Sequence, residues 1–138
     1  MLRAVLFISD STLRDPQVEQ EQMNAIKESS LAQNEKQNIT GVLAHYKKHF
    51  FNVLEGEPSI IEELICNLKE DQRHKNLAIL LDVEHNERIY TDWNLIESPC
   101  SKQTASLGVF LQRNIDLLPT IDTEHHDMLE DFVINLFS

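Results

Sequence analysis

Asn38-Ile39-Thr40-Gly41-Val42-Leu43 and, a little further on, His49-Phe50-Phe51-Asn52-Val53-Leu54-Glu55-Gly56 read as two neighbouring strands, Ile39 to Tyr46 and His49 to Glu55. Only Lys47-Lys48 separates them, short enough for a hairpin. It has neither the Gly nor the Asn that tight hairpins favour, so a loop one or two residues longer stays open. Alternation along the second strand places Phe50, Asn52 and Leu54 on one face. A buried amide costs about 1–3 kcal/mol if nothing satisfies it. A backbone group or water would serve Asn52, and so would a ligand; the residues alone leave both open.

The flanking sequence extends this pair into a domain. Downstream, Glu55-Gly56-Glu57-Pro58 closes the strand and opens a helix. Ser59 and Glu62 have capping-box spacing, and Pro58 in the first turn is the alternative start. Ile60, Ile61, Leu64, Ile65 and Leu68 form its apolar stripe. Upstream, Leu2 to Ser9 reads as a first strand. Asp15-Pro16, N-cap then Pro, opens a helix that runs to about Gln33. On that helix Ile26, Ser30 and Asn34 fall at i, i+4 and i+8 and share one side. Such polar groups suit a ligand's edge or an ordinary half-exposed helix end. Asn76 to Val83 and Ile89 to Leu95 read as strands four and five. Beyond Pro99, Leu107 to Leu111 and Thr123 to Phe137 look helical, with Leu117-Leu118-Pro119 between them. Met128, Leu129, Phe132, Val133, Leu136 and Phe137 make a stripe able to cover a bare sheet face. The order βαββαβ predicts an α+β, ferredoxin-like sheet with a fifth strand and C-terminal capping helices.

The chain has 138 residues, enough for one core, and a net charge of −11. That charge repels phosphate backbones, so nucleic acid is not an expected partner. No apolar run reaches the roughly 20 residues of a membrane span, and the apolar start reads as a strand rather than a leader peptide. Two cysteines, Cys66 and Cys100, without a CxxC spacing, point to a reducing cytoplasm. Cys66 sits beside the apolar stripe of the second helix, with no basic setting to activate it. His125-His126 stands among Asp122, Glu124 and Asp127. Adjacent helical residues point about 100° apart, so this reads as a solvated helix start rather than a metal site. His45 and His49 flank the hairpin and read as surface residues. No catalytic pattern stands out, and no enzyme activity is expected.

Five segments together resemble the BLUF (blue light using flavin) domain family over roughly residues 2 to 97. Asn38 to Leu43 is similar to its "TG.L" strand, and His49 to Gly56 to its "F.QVLEG" strand. Asp71-Gln72-Arg73-His74 resembles "D.RH", Asp92-Trp93-Asn94-Leu95 resembles "W.M", and Leu6-Phe7-Ile8-Ser9 stands where the first strand carries "Y.S". The resemblance implies a flavin ring, that of FAD, between the two helices and against the sheet. Asn34 matches the asparagine that bonds the ring's polar edge, with Ser30 one turn before it on the same side. Ile26 and Leu68 match positions flanking the ring. Arg73 and His74 match residues near the phosphate-bearing tail, and Arg88 a commonly basic position. FMN, or no cofactor at all, stays open.

The departures bear on the photochemistry. The family tyrosine is Phe7, its glutamine is Asn52 and its methionine is Leu95, while the tryptophan is kept as Trp93. In the family, light draws an electron and a proton from the tyrosine. The glutamine amide then rearranges its hydrogen bonds, which shifts flavin absorption to the red. Phe7 has no proton to give, and Asn52 is shorter by one methylene, about 1.5 Å. The resemblance therefore implies a sensory or regulatory protein whose normal photocycle is impaired or absent and which acts on a regulatory protein partner. Residues 1–97 would form the sensor and 98–138 a helical cap; a homo-oligomer is open. The alternatives are a flavin-free interaction module, or an atypical working sensor in which Trp93 or a displaced tyrosine replaces the relay.

Overall fold

The computed structural model of the chain describes residues 1–12, 16–71, 74–96 and 102–137. The order is β1 (Leu2–Ser11), α1 (Pro16–Lys36), β2 (Thr40–Tyr46), β3 (His49–Gly56), α2 (Pro58–Glu70), β4 (His74–His85), β5 (Trp93–Leu95), α3 (Lys102–Arg113), a 3-10 helix (Ile115–Thr120) and α4 (Thr123–Phe137). The five strands form one sheet in the order β4-β1-β3-β2-β5. The first four are antiparallel neighbours and β5 runs parallel to β2. This is the expected ferredoxin-like α+β arrangement with one strand added at an edge.

Both faces of the sheet are covered. Central strands covered on both faces read as unbroken apolar runs, and Ala4 to Ile8 are all buried. Alternation then sorts them. Val5 and Phe7 join Leu43, Phe50 and Leu54 under α1 and α2, against Met23, Ile26, Ile61 and Ile65. Ala4, Leu6 and Ile8 join Val42, Phe51 and Val53 on the other face, against Leu107, Phe110, Leu129 and Phe132 of α3 and α4.

Local chemistry accounts for the boundaries. Helix α1 runs on to Lys36, past Gln33, and stops where Asn38 turns left-handed at φ 57°. This lets the Ile39 N–H reach the Asn34 carbonyl at 2.8 Å, an asparagine version of a helix C-terminal turn. At the start of α2, Pro58 supplies the first helical residue and Glu57 the N-cap, with no side-chain capping bond. Ser59 bonds the Glu57 carboxylate instead, so the capping-box alternative is not used. The hairpin closes in two residues, Lys47 and Lys48. Lys47 takes φ 55°, where a Gly or Asn would usually sit. Asp15, Pro99 and Cys100 lie outside the described residues.

The fifth strand is shorter than the sequence suggests. It starts at Trp93 rather than Ile89 because the preceding amides are taken by a side chain. The Ile89 and Tyr90 N–H groups both donate to the Glu55 carboxylate at 2.9 Å. Only beyond them does the chain pair with β2, where Gly41 meets Trp93. Gly41 has φ 148°, and a Cβ there would overlap the Val53 carbonyl, so no other residue lets these strands close up.

Candidate functional site

Between α1, α2 and the sheet lies a cleft of about 590 Å³ counted to its open mouth, lined by Phe7, Ile26, Ser30, Asn34, Asn52, Leu68 and Trp93, among others. The register shows how the strands build its floor. Asn52 stands opposite Phe7 on one side and opposite Leu43 on the other, and Leu43 stands opposite Leu95. Phe7, Asn52, Leu43 and Leu95 are thus one row across four strands. Trp93, two residues before Leu95, shares its face. Ile26, Ser30 and Asn34 form one wall from α1. Leu68 and Leu64, one helical turn apart, form the other from α2.

The polar groups of this floor are unusual. Asn52 is 8% exposed, yet its Oδ1 has no hydrogen-bond partner, and Trp93 Nε1 is likewise buried and unpartnered. One is an acceptor and the other can only donate. Each such group costs about 1–3 kcal/mol when left bare. A bound planar heterocycle carrying both donors and acceptors on one edge would satisfy both. Asn34, 4% exposed, adds a further amide to the wall. The arrangement fits a ring that is apolar on its faces and polar along an edge.

Of four other positions, two lie off the cleft and two have side chains outside the described residues. Leu95 packs against the core on the cleft side without lining the cleft. Arg73 lies outside the described residues. His74 opens β4, and its side chain is outside them as well. Arg88 is not on the cleft. Its guanidinium donates to Thr40 Oγ1 at 2.7 Å and to the Asn38 carbonyl at 2.8 Å. Together with the buried Glu55 carboxylate it clamps the 86–92 loop onto β2 and β3.

Neither tyrosine is near the cleft. Tyr90 belongs to the core on the cap side, and Tyr46 packs against that same core. Burial, and secondarily the Glu55 charge, pushes the Tyr90 phenol well above its ordinary range, so it stays protonated. The Tyr46 hydroxyl donates to Asp131 on α4. His45 and His49 do not pair: His45 faces Phe50 across the hairpin, and His49 bonds Asp10 at 3.0 Å. On α4, His126, Asp127 and Glu130 bring one ligand atom each within 4.8 Å, while His125 bonds the Asp122 carboxylate.

Residues that sequence reasoning did not assign to the site are Ser9, Leu43, Leu64 and Asp71, together with Phe50 and Leu54, which alternation had placed only on the Asn52 face; all six line the cleft. Two follow simple spacing: Ser9 is two along the strand from Phe7, and Leu64 one turn before Leu68. Leu43 needed the register and Asp71 the end of α2.

The family model described as BLUF, sensors of blue-light using FAD, matches residues 2–96. The chain belongs to the BLUF family. BLUF domains are flavin-binding blue-light sensors, and the matched region is the sensor domain. Photoactivated adenylate cyclase subunit alpha of Euglena gracilis is 32% identical over 66 residues, 48% of this chain and 6% of that protein. Subunit beta of Euglena longa is 26% identical over 98 residues, 70% of this chain and 11% of that protein. The chain thus spans only a small part of these curated relatives. Among solved structures, a bacterial light-regulated adenylyl cyclase superposes with a TM-score of 0.67 at 25% identity, over 95% of this chain and 36% of that one. BlsA in its photo-activated state gives 0.64 at 20% identity, over 99% of this chain and 95% of that one; at that identity the likeness is one of fold. Among the described residues no helix is long and apolar enough to cross a membrane.

Proposed function

We propose that this BLUF protein holds a flavin in the cleft between α1 and α2, FAD in the first place and FMN as the alternative, and lacks the family's usual light-driven switch. A flavin would supply blue-light absorption. The chain's own residues supply the rest. Asn34 and Ser30 present hydrogen-bonding groups from α1, Ile26 and Leu68 flank the ring faces, and Asn52 and Trp93 offer the unpartnered acceptor and donor. Arg73 and His74 would meet the phosphate-bearing tail.

The observation that carries the second half is the row Phe7, Asn52, Leu43, Leu95. The position opposite the amide has no hydroxyl, so nothing there gives up a proton or holds the amide in one orientation. The asparagine falls short of a glutamine by about 1.5 Å, while hydrogen bonds form only at about 2.7–3.2 Å. Replacement by a moved tyrosine is disfavoured, because both phenols lie beyond the sheet. Trp93 can give an electron and quench emission, but it does not recreate a phenol–amide exchange. The output in this reading is contact with a regulatory protein in the cytoplasm. Residues 1–97 act as the sensing unit and 98–138 as the cap that carries the contact.

Purified protein loaded with FAD tests this. Blue light is expected to leave the flavin spectrum without a stable red shift, and the double variant Phe7→Tyr, Asn52→Gln is expected to gain one. A reversible red shift in the parent would overturn the lost switch. Protein that stays colourless and takes up neither FAD nor FMN would favour the flavin-free module.

A further inference from the structure

The helical cap carries a second concavity that the flavin reading does not use. It lies between α3, the 3-10 helix and α4, has a volume of about 820 Å³ counted, like the cleft, to its open mouth, and is lined mainly by apolar side chains, including Leu111, Ile115, Leu118, Val133 and Ile134. Ile115 is 50% exposed and Ile134 58% exposed. Of the six exposed large hydrophobic residues among the described ones, four (Val109, Ile115, Leu117 and Ile134) belong to this cap. Exposed apolar residues scattered singly need no explanation, but two of these four, Ile115 and Ile134, line this groove, and apolar residues exposed together mark an interaction surface.

Charge around the groove narrows the occupant. Residues 102–137 contain six acidic side chains and two basic ones, Lys102 and Arg113. Glu130 is part of the lining, Asp116 follows Ile115, and Asp127 stands beside His126 with its ligand atom within 4.8 Å of Glu130. None of the three pairs with a lysine or arginine among the described residues. The basic group nearest Glu130 among the described residues is the His126 imidazole, at 3.9 Å. A second copy of this chain would bring the same acids and a net charge of −11 to a self-complementary contact, which like-charge repulsion opposes. An anionic membrane surface or a nucleic acid is repelled for the same reason.

We propose that this groove docks an amphipathic helix of a partner protein, with an apolar stripe towards Ile115 and Ile134 and basic residues along its flanks. The groove walls are helices of 12 and 15 residues, about 18–22 Å long, which accommodates three to four turns of a docked helix. Apolar anchors at i, i+3 or i+4, and i+7 would fill the floor. Lysine or arginine on either side would meet Glu130, Asp127 and Asp116. The inference rests on the reading that the protein signals through a partner, and it is independent of whether flavin is bound.

The test uses the full chain and a probe peptide of about 14 residues made of leucine and lysine in helical amphipathic order, with a leucine–glutamate counterpart. Amide shifts in nitrogen–proton NMR are expected to move in α3, the 3-10 helix and α4 with the lysine peptide and to stay still with the glutamate peptide. Ile134→Ser and Ile115→Ser are expected to weaken binding about tenfold each. Val109→Ser, exposed on α3 but outside the lining, is expected to bind as the parent does. All three sites are half exposed, so far-ultraviolet dichroism should confirm that the variants stay folded. Shifts on another face, equal binding of both peptides, or no effect of Ile134→Ser would overturn the proposal. So would a parent dimer in sedimentation equilibrium that Ile134→Ser dissolves, which would assign the groove to a second copy. FAD uptake measured on the same proteins keeps the readings apart: a parent that takes up flavin but binds no lysine peptide sinks the groove alone, and a parent that binds the peptide but takes up no flavin sinks only the flavin reading.

Discussion

On the cap side of the sheet Phe51 lies flat against Phe132, ring centroids 4.2 Å apart and 9° from parallel, and Phe110 has no exposed surface. On the α1–α2 side, Asn52 and Trp93 carry buried polar atoms with no partner, and an open cleft separates the helices. The same strands supply both faces, two neighbouring residues at a time. One face is closed by packed rings and aliphatic side chains, which is what stability requires, and it tolerates the buried, unpartnered Tyr90 hydroxyl and His85 Nδ1 without opening a cleft. The other is left short of atoms and hydrogen bonds, which is what a ligand site requires. The sheet thus separates a closed core from an open cleft.

Substitutions on the two faces should therefore differ in kind. Phe132→Ala removes a stacked ring from the closed side and is expected to cost about 3–5 kcal/mol in urea unfolding. Leu64→Ala on the cleft wall, where space already exists, should cost only about 1–2 kcal/mol. Equal losses would mean that the cleft face is packed like the cap face. Glu55→Ala probes the clamp that holds the 86–92 loop. Orphaning the Ile89 and Tyr90 amides is expected to cost about 2–4 kcal/mol and to loosen the β5 edge, seen as faster amide exchange at Trp93. Asn52→Leu makes the cleft more like the other face. It is expected to raise the stability of the flavin-free protein by about 1 kcal/mol while abolishing or weakening flavin uptake. A loss of stability would show that the asparagine is satisfied after all.

The smallest effect lies at the rim. Arg3 bonds Asp82 and Glu62, and the Arg3 hydrogen bond holds the Asp82 carboxyl below its ordinary range. A depressed folded value means that this contribution is present above the unfolded pKa, about 4, and is lost as pH falls through the folded value. Asp82 is 40% exposed, so solvent screening keeps the contribution under about 1 kcal/mol. The stability gap between parent and Asp82→Asn should be visible at neutral pH and close as the pH drops below about 4. A gap unchanged down to pH 2 would exclude the ion pair as its source.

Much of the cleft was legible residue by residue. The i, i+4, i+8 spacing of Ile26, Ser30 and Asn34 placed them on one side of α1, and alternation along β3 put Asn52 on the same face as Phe50 and Leu54. Both patterns come from the backbone period of a single element. What failed to show was anything that depended on a distant partner. The early residues of β5 looked like a strand until the Glu55 carboxylate, on β3, took their amides. Arg88, which the resemblance put among the cofactor-binding positions, has its guanidinium occupied by Thr40 and Asn38.

The amino-acid sequence by itself determined the chemistry at each position of the relay: a phenyl ring without a hydroxyl at Phe7, a short amide at Asn52, an intact indole at Trp93. It also determined which way each strand residue faces, because alternation follows from covalent geometry. Only the tertiary structure decided that Phe7, Asn52 and Leu95 stand in one row, that both phenols lie across the sheet from it, and that the cap leaves a groove with an acidic rim. Those facts depend on register and on helix docking between segments tens of residues apart, and no local period encodes them.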